Sequence, residues 1–269
     1  MNLKLFGMFS GAMLGTACMA PSINAETIVD FDGNTAYTGS FNSLGSLGGS
    51  SFGTAFDDTN PQVSGATGTS STWYGGMVHT NGNGGAYNYQ ASNIGTSSGI
   101  HHRLNGAGSG TATALAYWQV ADFLNGGVPV VLDTDSEFRI GLDSLNSNTH
   151  TLIVGWVIET TSGFFISDFA GFLNAGGNGT FTDDDLSDNV WRDYDPATSL
   201  SAVGSIAAPD LGDVIGVGYR LNTSTDSGTL NFRSRVGEFE VIANPIPEPG
   251  SLLLAGAGGL MLLVRRRRG

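Results

Sequence analysis

The stretch TLIVGWVIET, residues 151–160, indicates the fold class of this chain. Apolar side chains occupy both phases of its two-residue alternation, which is typical of a strand buried on both faces in the centre of a sheet. Two further stretches, EFRIGLDSL at 137–145 and DVIGVGYRL at 213–221, each place an apolar row on one face. Alternation of this kind predicts half-buried strands that contribute to a common core.

The two ends of the central part of the chain also predict strands. GTLNFRSRVGEFEVI at 228–242 alternates in two phases on either side of 235–237, which predicts a terminal hairpin. ETIVDFDG at 26–33 predicts a first strand that pairs near 237–242. No long helical period occurs between the two terminal apolar segments, and glycine is frequent, with 41 residues in the chain.

Short strands with glycine-rich turns predict an all-β fold, a β-sandwich of the jelly-roll type. This pattern resembles the concanavalin A-like and carbohydrate-binding-module architectures. Trp118 and Trp156 are expected in the core of the sandwich. The chain's single cysteine, Cys18, lies near the N-terminus, so the predicted domain has no disulfide framework and depends on burial for its stability.

The first 25 residues predict a secretory signal peptide. Lys4 supplies the positive end, an apolar run follows, and SINA offers a cleavage site after Ala25. The alternative is a lipoprotein signal ending at Cys18, but Leu14 stands one place too far from that cysteine. The chain therefore divides into a signal peptide at 1–25, a β-sandwich domain at 26–243 and a C-terminal segment at 244–269.

The C-terminal segment contains PEPGSLLLAGAGGLMLLVRRRRG at 247–269. Its fourteen uncharged residues at 251–264 would span about 21 Å as a helix, which is short against a hydrocarbon core of about 30 Å. Four arginines follow at once, and they suit the cytoplasmic face of a membrane rather than a protein core. We therefore predict a transmembrane helix at 251–264, with a soluble terminal helix as the alternative.

This segment resembles the PEP-CTERM sorting signal of Gram-negative bacteria. The resemblance rests on Pro247, Glu248 and Pro249, and on the basic end formed by Arg265, Arg266, Arg267 and Arg268. It implies that an exosortase-type membrane peptidase processes the chain, in bacteria that make exopolysaccharide. It also implies a transient inner-membrane anchor with a cytoplasmic C-terminus, followed by transfer to the cell surface or exterior. It covers only about the last 23 residues and implies nothing about the domain.

The central part of the chain is strongly acidic. Residues 26–249 hold all 24 Asp and Glu against six Arg, a net charge of −18. Such a surface argues against nucleic acid as a partner, because affinity for nucleic acid comes from neutralising phosphates. It also argues against docking on anionic membranes, and it is typical of a well-solvated exported domain.

The densest acidic cluster is FTDDDLSDNVWRDYDP at 181–196. Like charges this close repel unless they are solvated or bind a cation, and calcium takes six to eight oxygen ligands. Asp183, Asp185 and Asp188 are the candidate ligands for a structural calcium ion. The spacing does not fit an EF-hand, so a solvated acidic loop remains the alternative. No other cofactor is expected.

Catalytic signals are weak. The adjacent His101 and His102 would point to opposite faces of a strand and would not readily converge on one site. We therefore expect no enzymatic activity, although two distant carboxylates would suffice for a glycosidase. Trp73 and Tyr74 lie in a polar, glycine-rich region and are candidates for stacking on a glycan, with core packing as the alternative.

Together these features predict an exported surface or extracellular-matrix protein. Its domain is expected to be structural or adhesive in an exopolysaccharide matrix. The alternatives are an enzyme acting on polysaccharide and a dedicated carbohydrate-binding module. Two carboxylates facing each other across a groove would favour the enzyme, whereas a flat strip of exposed aromatic rings would favour the module.

Overall fold

The computed structural model describes nine stretches of the chain, which include most of the predicted domain. They are residues 25–32, 51–63, 72–94, 97–123, 128–144, 152–168, 171–173, 177–225 and 231–245. The predicted signal peptide, apart from Ala25, and the predicted transmembrane segment lie outside them. Within these stretches no helix is long and apolar enough to cross a membrane.

Strands account for nearly all of the regular structure in the described residues, and this confirms the predicted all-β class. The fourteen strands are β1 (Glu26–Asp32), β2 (Ser51–Val63), β3 (Thr72–Ile94), β4 (Ser97–Gln119), β5 (Val130–Val131), β6 (Glu137–Ser144), β7 (Leu152–Thr160), β8 (Gly163–Ser167), β9 (Gly171–Leu173), β10 (Asn178–Asp183), β11 (Trp191–Tyr194), β12 (Ile206–Ala207), β13 (Val214–Thr225) and β14 (Asn231–Pro245). The helical elements are α1 (Val120–Phe123) and a 3-10 helix at Leu186–Asp188.

The strands form one antiparallel sheet that folds over into two layers. The first layer runs β1-β14-β6-β10. The second runs β2-β3-β4-β13-β7-β8-β11-β12, and β9 adds to the end of β7. The layers are continuous because residues 231–236 of β14 also pair with β4. Beyond this point β14 continues in the first layer, while the rest of β4 pairs with β13 in the second.

Aromatic side chains from the two layers meet in a single core. The Trp118 ring of the second layer stacks on Phe239 of the first, with centroids 4.8 Å apart. Tyr219 meets the same phenylalanine at 5.2 Å, and Phe138 of the first layer meets Trp156 of the second at 5.4 Å. All five side chains are fully buried. The predicted β-sandwich is therefore confirmed, as is the core position of both tryptophans.

The first and last strands of the domain pair as the sequence predicts. β1 pairs with β14 so that Phe31 lies opposite Phe239, as expected for the first and last strands. β6 pairs with β14 in one layer while β7 pairs with β13 in the other. The chain therefore passes from the first layer to the second between β6 and β7, as it does between neighbouring strands of double-sheet jelly rolls.

The predicted terminal hairpin around 235–237 is wrong, because β14 is one continuous strand. Its register shifts between Val236 and Glu238 where it pairs with β6. A bulge of this kind adds one residue to a strand and reverses which side chains face the core. Val236 is buried before the bulge and Phe239 after it, so the two phases of alternation belong to a single strand.

The predicted double burial of β7 is confirmed around Val157, whereas Ile153 near the start of the strand is 40% exposed on the outer face. Val154, Trp156 and Ile158 face the core between the layers, while Val157 is also fully buried on the opposite face. A second, smaller apolar cluster therefore covers the outer face of the second layer. This outer face carries the side chains described next.

Candidate functional site

The outer face of the second layer carries a line of four aromatic rings, here called the aromatic row. It consists of Tyr74, Tyr117, Phe164 and Tyr194, contributed by β3, β4, β8 and β11. The Tyr117 ring lies 6.3 Å from Tyr74 and 5.3 Å from Phe164. Phe164 and Tyr194 are direct partners across the β8–β11 pairing. The strand order β3-β4-β13-β7-β8-β11 of this layer thus brings the rings side by side.

The Tyr117 side chain extends across β13 at Gly216, where that strand has no side chain in the way. A Cβ at Gly216 would overlap the Tyr117 ring. The Tyr117 hydroxyl donates a hydrogen bond to Glu159 on β7, the strand beyond. The ring is fully buried, and this bond satisfies the polar end of an otherwise apolar contact.

The segment 195–205, here called the covering segment, links β11 to β12 and closes over one end of the aromatic row. Leu200 is buried in the apolar cluster of that face, and its carbonyl accepts a hydrogen bond of 2.9 Å from the Tyr194 hydroxyl. The Asp195 carboxylate accepts bonds from the backbone and hydroxyl of Thr198, and these bonds lower the pKa of Asp195. Burial raises the pKa of the Tyr194 hydroxyl above its usual range.

Two clefts flank the covering segment. The larger, here called the aromatic cleft, has a volume of about 380 Å³ and is lined by Ser162, Gly163, Phe164, Phe165, Asp193, Tyr194, Asp195, Thr198, Ser199, Ala202, Val203 and Gly204. The smaller, here called the arginine cleft, has a volume of about 220 Å³ and is lined by Ser167, Asp168, Arg192, Val203, Gly204 and Arg220. Val203 and Gly204 form the boundary between the two clefts.

The two arginines of the arginine cleft differ in their partners. Arg192 holds Asp168 through two hydrogen bonds, one of them 2.9 Å from Nη2, and this pairing lowers the pKa of Asp168. The Arg220 guanidinium lies over the Tyr194 ring, 5.7 Å from its centroid. Its Nη1 is buried without a hydrogen-bond partner, and burial lowers the pKa of Arg220.

The candidate calcium ligands of the acidic cluster precede β11 in the chain, and two of the three have structural contacts. Asp183 Oδ2 accepts hydrogen bonds from the Trp156 indole at 2.8 Å and the Asn189 amide at 2.7 Å. Asp185 caps the 3-10 helix by accepting from the backbone and hydroxyl of Ser187. Asp188 is exposed within that helix. Among the described residues no three His, Cys, Asp or Glu side chains come together as a metal site would require.

Calcium binding by Asp183, Asp185 and Asp188 stays a prediction. We expect the full-length chain to melt at a higher temperature in millimolar calcium than in chelator, because a ligand at 100 times its Kd adds about 2.7 kcal/mol. Asp188→Asn should remove this difference while leaving the melting temperature in chelator unchanged. A melting temperature that does not respond to calcium would contradict the prediction.

The comparisons with known proteins concern mainly the end of the chain. Residues 245–268 match the family model of the PEP-CTERM protein-sorting motif. The chain carries a PEP-CTERM sorting motif. The resemblance predicted from Pro247 to Arg268 is thus confirmed, and it implies an exported protein that is sorted by way of a membrane anchor and processed by exosortase. No curated protein shows significant similarity to this chain.

Some solved structures resemble the fold of this chain weakly. The family 11 carbohydrate-binding module from Clostridium thermocellum, in complex with a β-1,3-1,4-mixed-linked tetrasaccharide, is 10% identical over 76% of this chain and 99% of that one, with a TM-score of 0.34. The family 11 module of a cellulosomal cellulase from the same organism is 10% identical over 84% and 96%, with a TM-score of 0.29. The glycoside hydrolase domain of Endo-D from Streptococcus pneumoniae is 8% identical over 75% and 21%, with a TM-score of 0.27. Similarity at these TM-scores gives no information about what this chain binds or does.

The predicted site residues lie in different regions of the chain. Tyr74 stands at one end of the aromatic row with 7% of its surface exposed, and the Trp73 side chain lies outside the described part of the chain. Their role in glycan stacking stays a prediction. The residues of the sorting motif from 247 onward also lie outside the described part.

The sequence analysis missed Arg192 and Arg220. One signal was present, because Gly216, Gly218 and Arg220 share one phase of the alternation in β13. Two glycines followed by an arginine on one face indicate a shallow surface with a single long polar side chain.

Proposed function

We propose that the β-sandwich domain acts outside the cell as a structural or adhesive component of an exopolysaccharide matrix. The observation that carries this proposal is the PEP-CTERM motif at the end of a chain whose described residues form a β-sandwich. The motif accounts for export, and the sandwich supplies a stable body with clefts on one outer face. The negative charge of the domain supports a solvated extracellular role.

The charge state of Asp168 and Asp195, two of the three acidic residues in the described lining of the clefts, supports binding over hydrolysis. A glycosidase needs a carboxylic acid whose pKa is raised, so that it can protonate the leaving oxygen near neutral pH. Asp168 in the arginine cleft and Asp195 in the aromatic cleft have lowered pKa values, because Arg192 and Thr198 donate hydrogen bonds to them. These groups remain charged and serve as hydrogen-bond acceptors within the protein.

The role in the matrix predicts that the protein stays with exopolysaccharide and leaves it intact. The full-length chain, purified in mild detergent, should sediment with exopolysaccharide isolated from its host, whereas heat-unfolded chain should not. Incubation should release no new reducing ends. A chain that stays in the supernatant would contradict the binding role, and a steady rise in reducing ends would show instead that the protein is an enzyme.

A further inference from the structure

We propose that the arginine cleft is a subsite for the carboxylate of an acidic sugar, so that the bound polysaccharide contains uronic acid residues. This inference rests on the proposed function and names its ligand class. The cleft volume of about 220 Å³ equals roughly seven times the ~30 Å³ share of one water molecule. It can therefore hold a carboxylate and the edge of the sugar that carries it.

The first step is the placement of positive charge. Only six arginines offset the 24 carboxylates of residues 26–249, and Arg192 and Arg220 line the same small cleft. Among the described residues Asp168 is the one acidic residue that lines this cleft, so the described lining has a formal charge of +1 in a domain of −18. At physiological salt the Debye length is about 8 Å, so the repulsion from carboxylates farther away than this is largely screened. Contacts made inside the cleft are screened much less.

The second step is the state of Arg220. This residue forms no ion pair with any residue in the described stretches, and its Nη1 is enclosed without an acceptor. A largely buried cation is costly unless it meets an opposite charge or a set of acceptors. Tyr194 beneath it offers the electron-rich face of its ring and a hydroxyl that interacts with the guanidinium, but no negative charge. The planar guanidinium fork matches the geometry of a carboxylate, which would complete its interactions.

The third step is the neighbouring aromatic cleft. It shares Val203 and Gly204 with the arginine cleft. Its other lining residues include the aromatic Phe164 and Tyr194, the hydroxyl-bearing Ser162, Thr198 and Ser199, and the acidic Asp193 and Asp195. Aromatic and hydroxyl groups together suit the apolar face and the hydroxyl edge of a sugar. A polysaccharide chain crossing at Val203 would place one sugar in each cleft. This arrangement favours a glycan over an acidic peptide.

The test uses the full-length chain in mild detergent and isothermal titration with defined probes. Tetragalacturonate should bind, and its fully methyl-esterified form should bind about tenfold or more weakly, because the ester cannot accept charge-assisted hydrogen bonds. Sulfate and tetraglutamate should bind more weakly than tetragalacturonate. Equal affinity for the acid and the ester would overturn the proposal, as would tighter binding of sulfate, which indicates a simple anion site, or of tetraglutamate, which indicates a protein partner.

Variants then locate the subsite. Arg220→Gln should weaken tetragalacturonate binding about tenfold or more, and Arg220→Lys should restore only part of it, since lysine keeps the charge but loses the fork. The matched control is Arg139→Gln, which removes an arginine that pairs with Glu238 and Glu240 on the first layer and should leave binding unchanged. An equal loss in both Gln variants would overturn the proposal.

Asp168→Asn provides a test that does not alter the buried Arg220. It removes the carboxylate that occupies Arg192, so tetragalacturonate should bind a few times more tightly. Unchanged or weaker binding in this variant would overturn the subsite, even if the Arg220 variants fail to fold. Sedimentation with host exopolysaccharide that persists despite equal binding of acid and ester would leave the proposed function standing while the subsite fails.

Discussion

Replacing Trp118 by alanine is expected to lower the free energy of unfolding by about 3–5 kcal/mol. This side chain is fully buried and joins the layers, with its ring 4.8 Å from Phe239, 5.8 Å from Phe31 and 6.1 Å from Tyr219. Its loss leaves a cavity between two sheets whose backbones are fixed by their ladders, so the surroundings can relax only in part. Native domains have about 5–15 kcal/mol in all, so the loss is a large share.

Urea denaturation of the full-length chain, followed by circular dichroism, measures this effect. The matched control is Ile206→Ala in β12, because Ile206 is 68% exposed and surface changes usually stay within about 0.5 kcal/mol. A loss below about 1 kcal/mol for Trp118→Ala would mean that the two layers do not meet at this ring.

Replacing Pro247, Glu248 and Pro249 together by alanine is expected to stop processing altogether. Proline fixes its own backbone, and the residue before it avoids the helical region, so the sequence predicts an extended motif ahead of the apolar run. A peptidase binds extended backbone along a strand-like path. We therefore expect the variant to remain at the membrane with its uncut mass, and we expect the natural chain to be cut near Glu248 and released or transferred to the exterior.

Mass spectrometry of the extracellular fraction from the native host measures this outcome. Pro209→Ala, which changes a proline of the domain outside the motif, should leave export and processing unchanged. Replacing the four arginines at 265–268 by serine should weaken orientation and retention of the anchor. An extracellular peptide containing intact LLLAGAGGLMLLVRRRR would show that the tail is not removed and would contradict the prediction.

The sequence was sufficient for the sandwich where alternation is regular. Phe138, Ile140 and Leu142 predict one face of β6, and all three are buried. It was insufficient at β14, because one inserted residue in a continuous strand gives the same pattern as a turn between two strands. Only the partner strand β6, which runs past the register shift, distinguishes the two.

The candidate site was less predictable because it depends on pairings between distant strands. Arg192 and Arg220 lie 28 positions apart in the numbering, and they meet because β11, β8, β7 and β13 are consecutive neighbours in one layer. The same holds for Tyr74, which local composition places in a polar region. Its burial follows from Tyr117, whose ring position is set by Gly216 on another strand.

The pairing of β1 with β14 has a mechanical meaning for a domain held by its C-terminal end. Glu26 lies opposite Ala243, so the strand that leads directly into the sorting motif lies between β1 and β6 in the first layer. While the chain is still anchored, before the expected cut near Glu248, a pulling force between the anchor and a polymer bound to the domain would run along β14 and load its ladders in shear. Under shear many backbone hydrogen bonds between strands resist the force together, whereas peeling an edge strand breaks these hydrogen bonds one at a time. The domain is therefore arranged to bear tension through the very strand that joins it to the anchor.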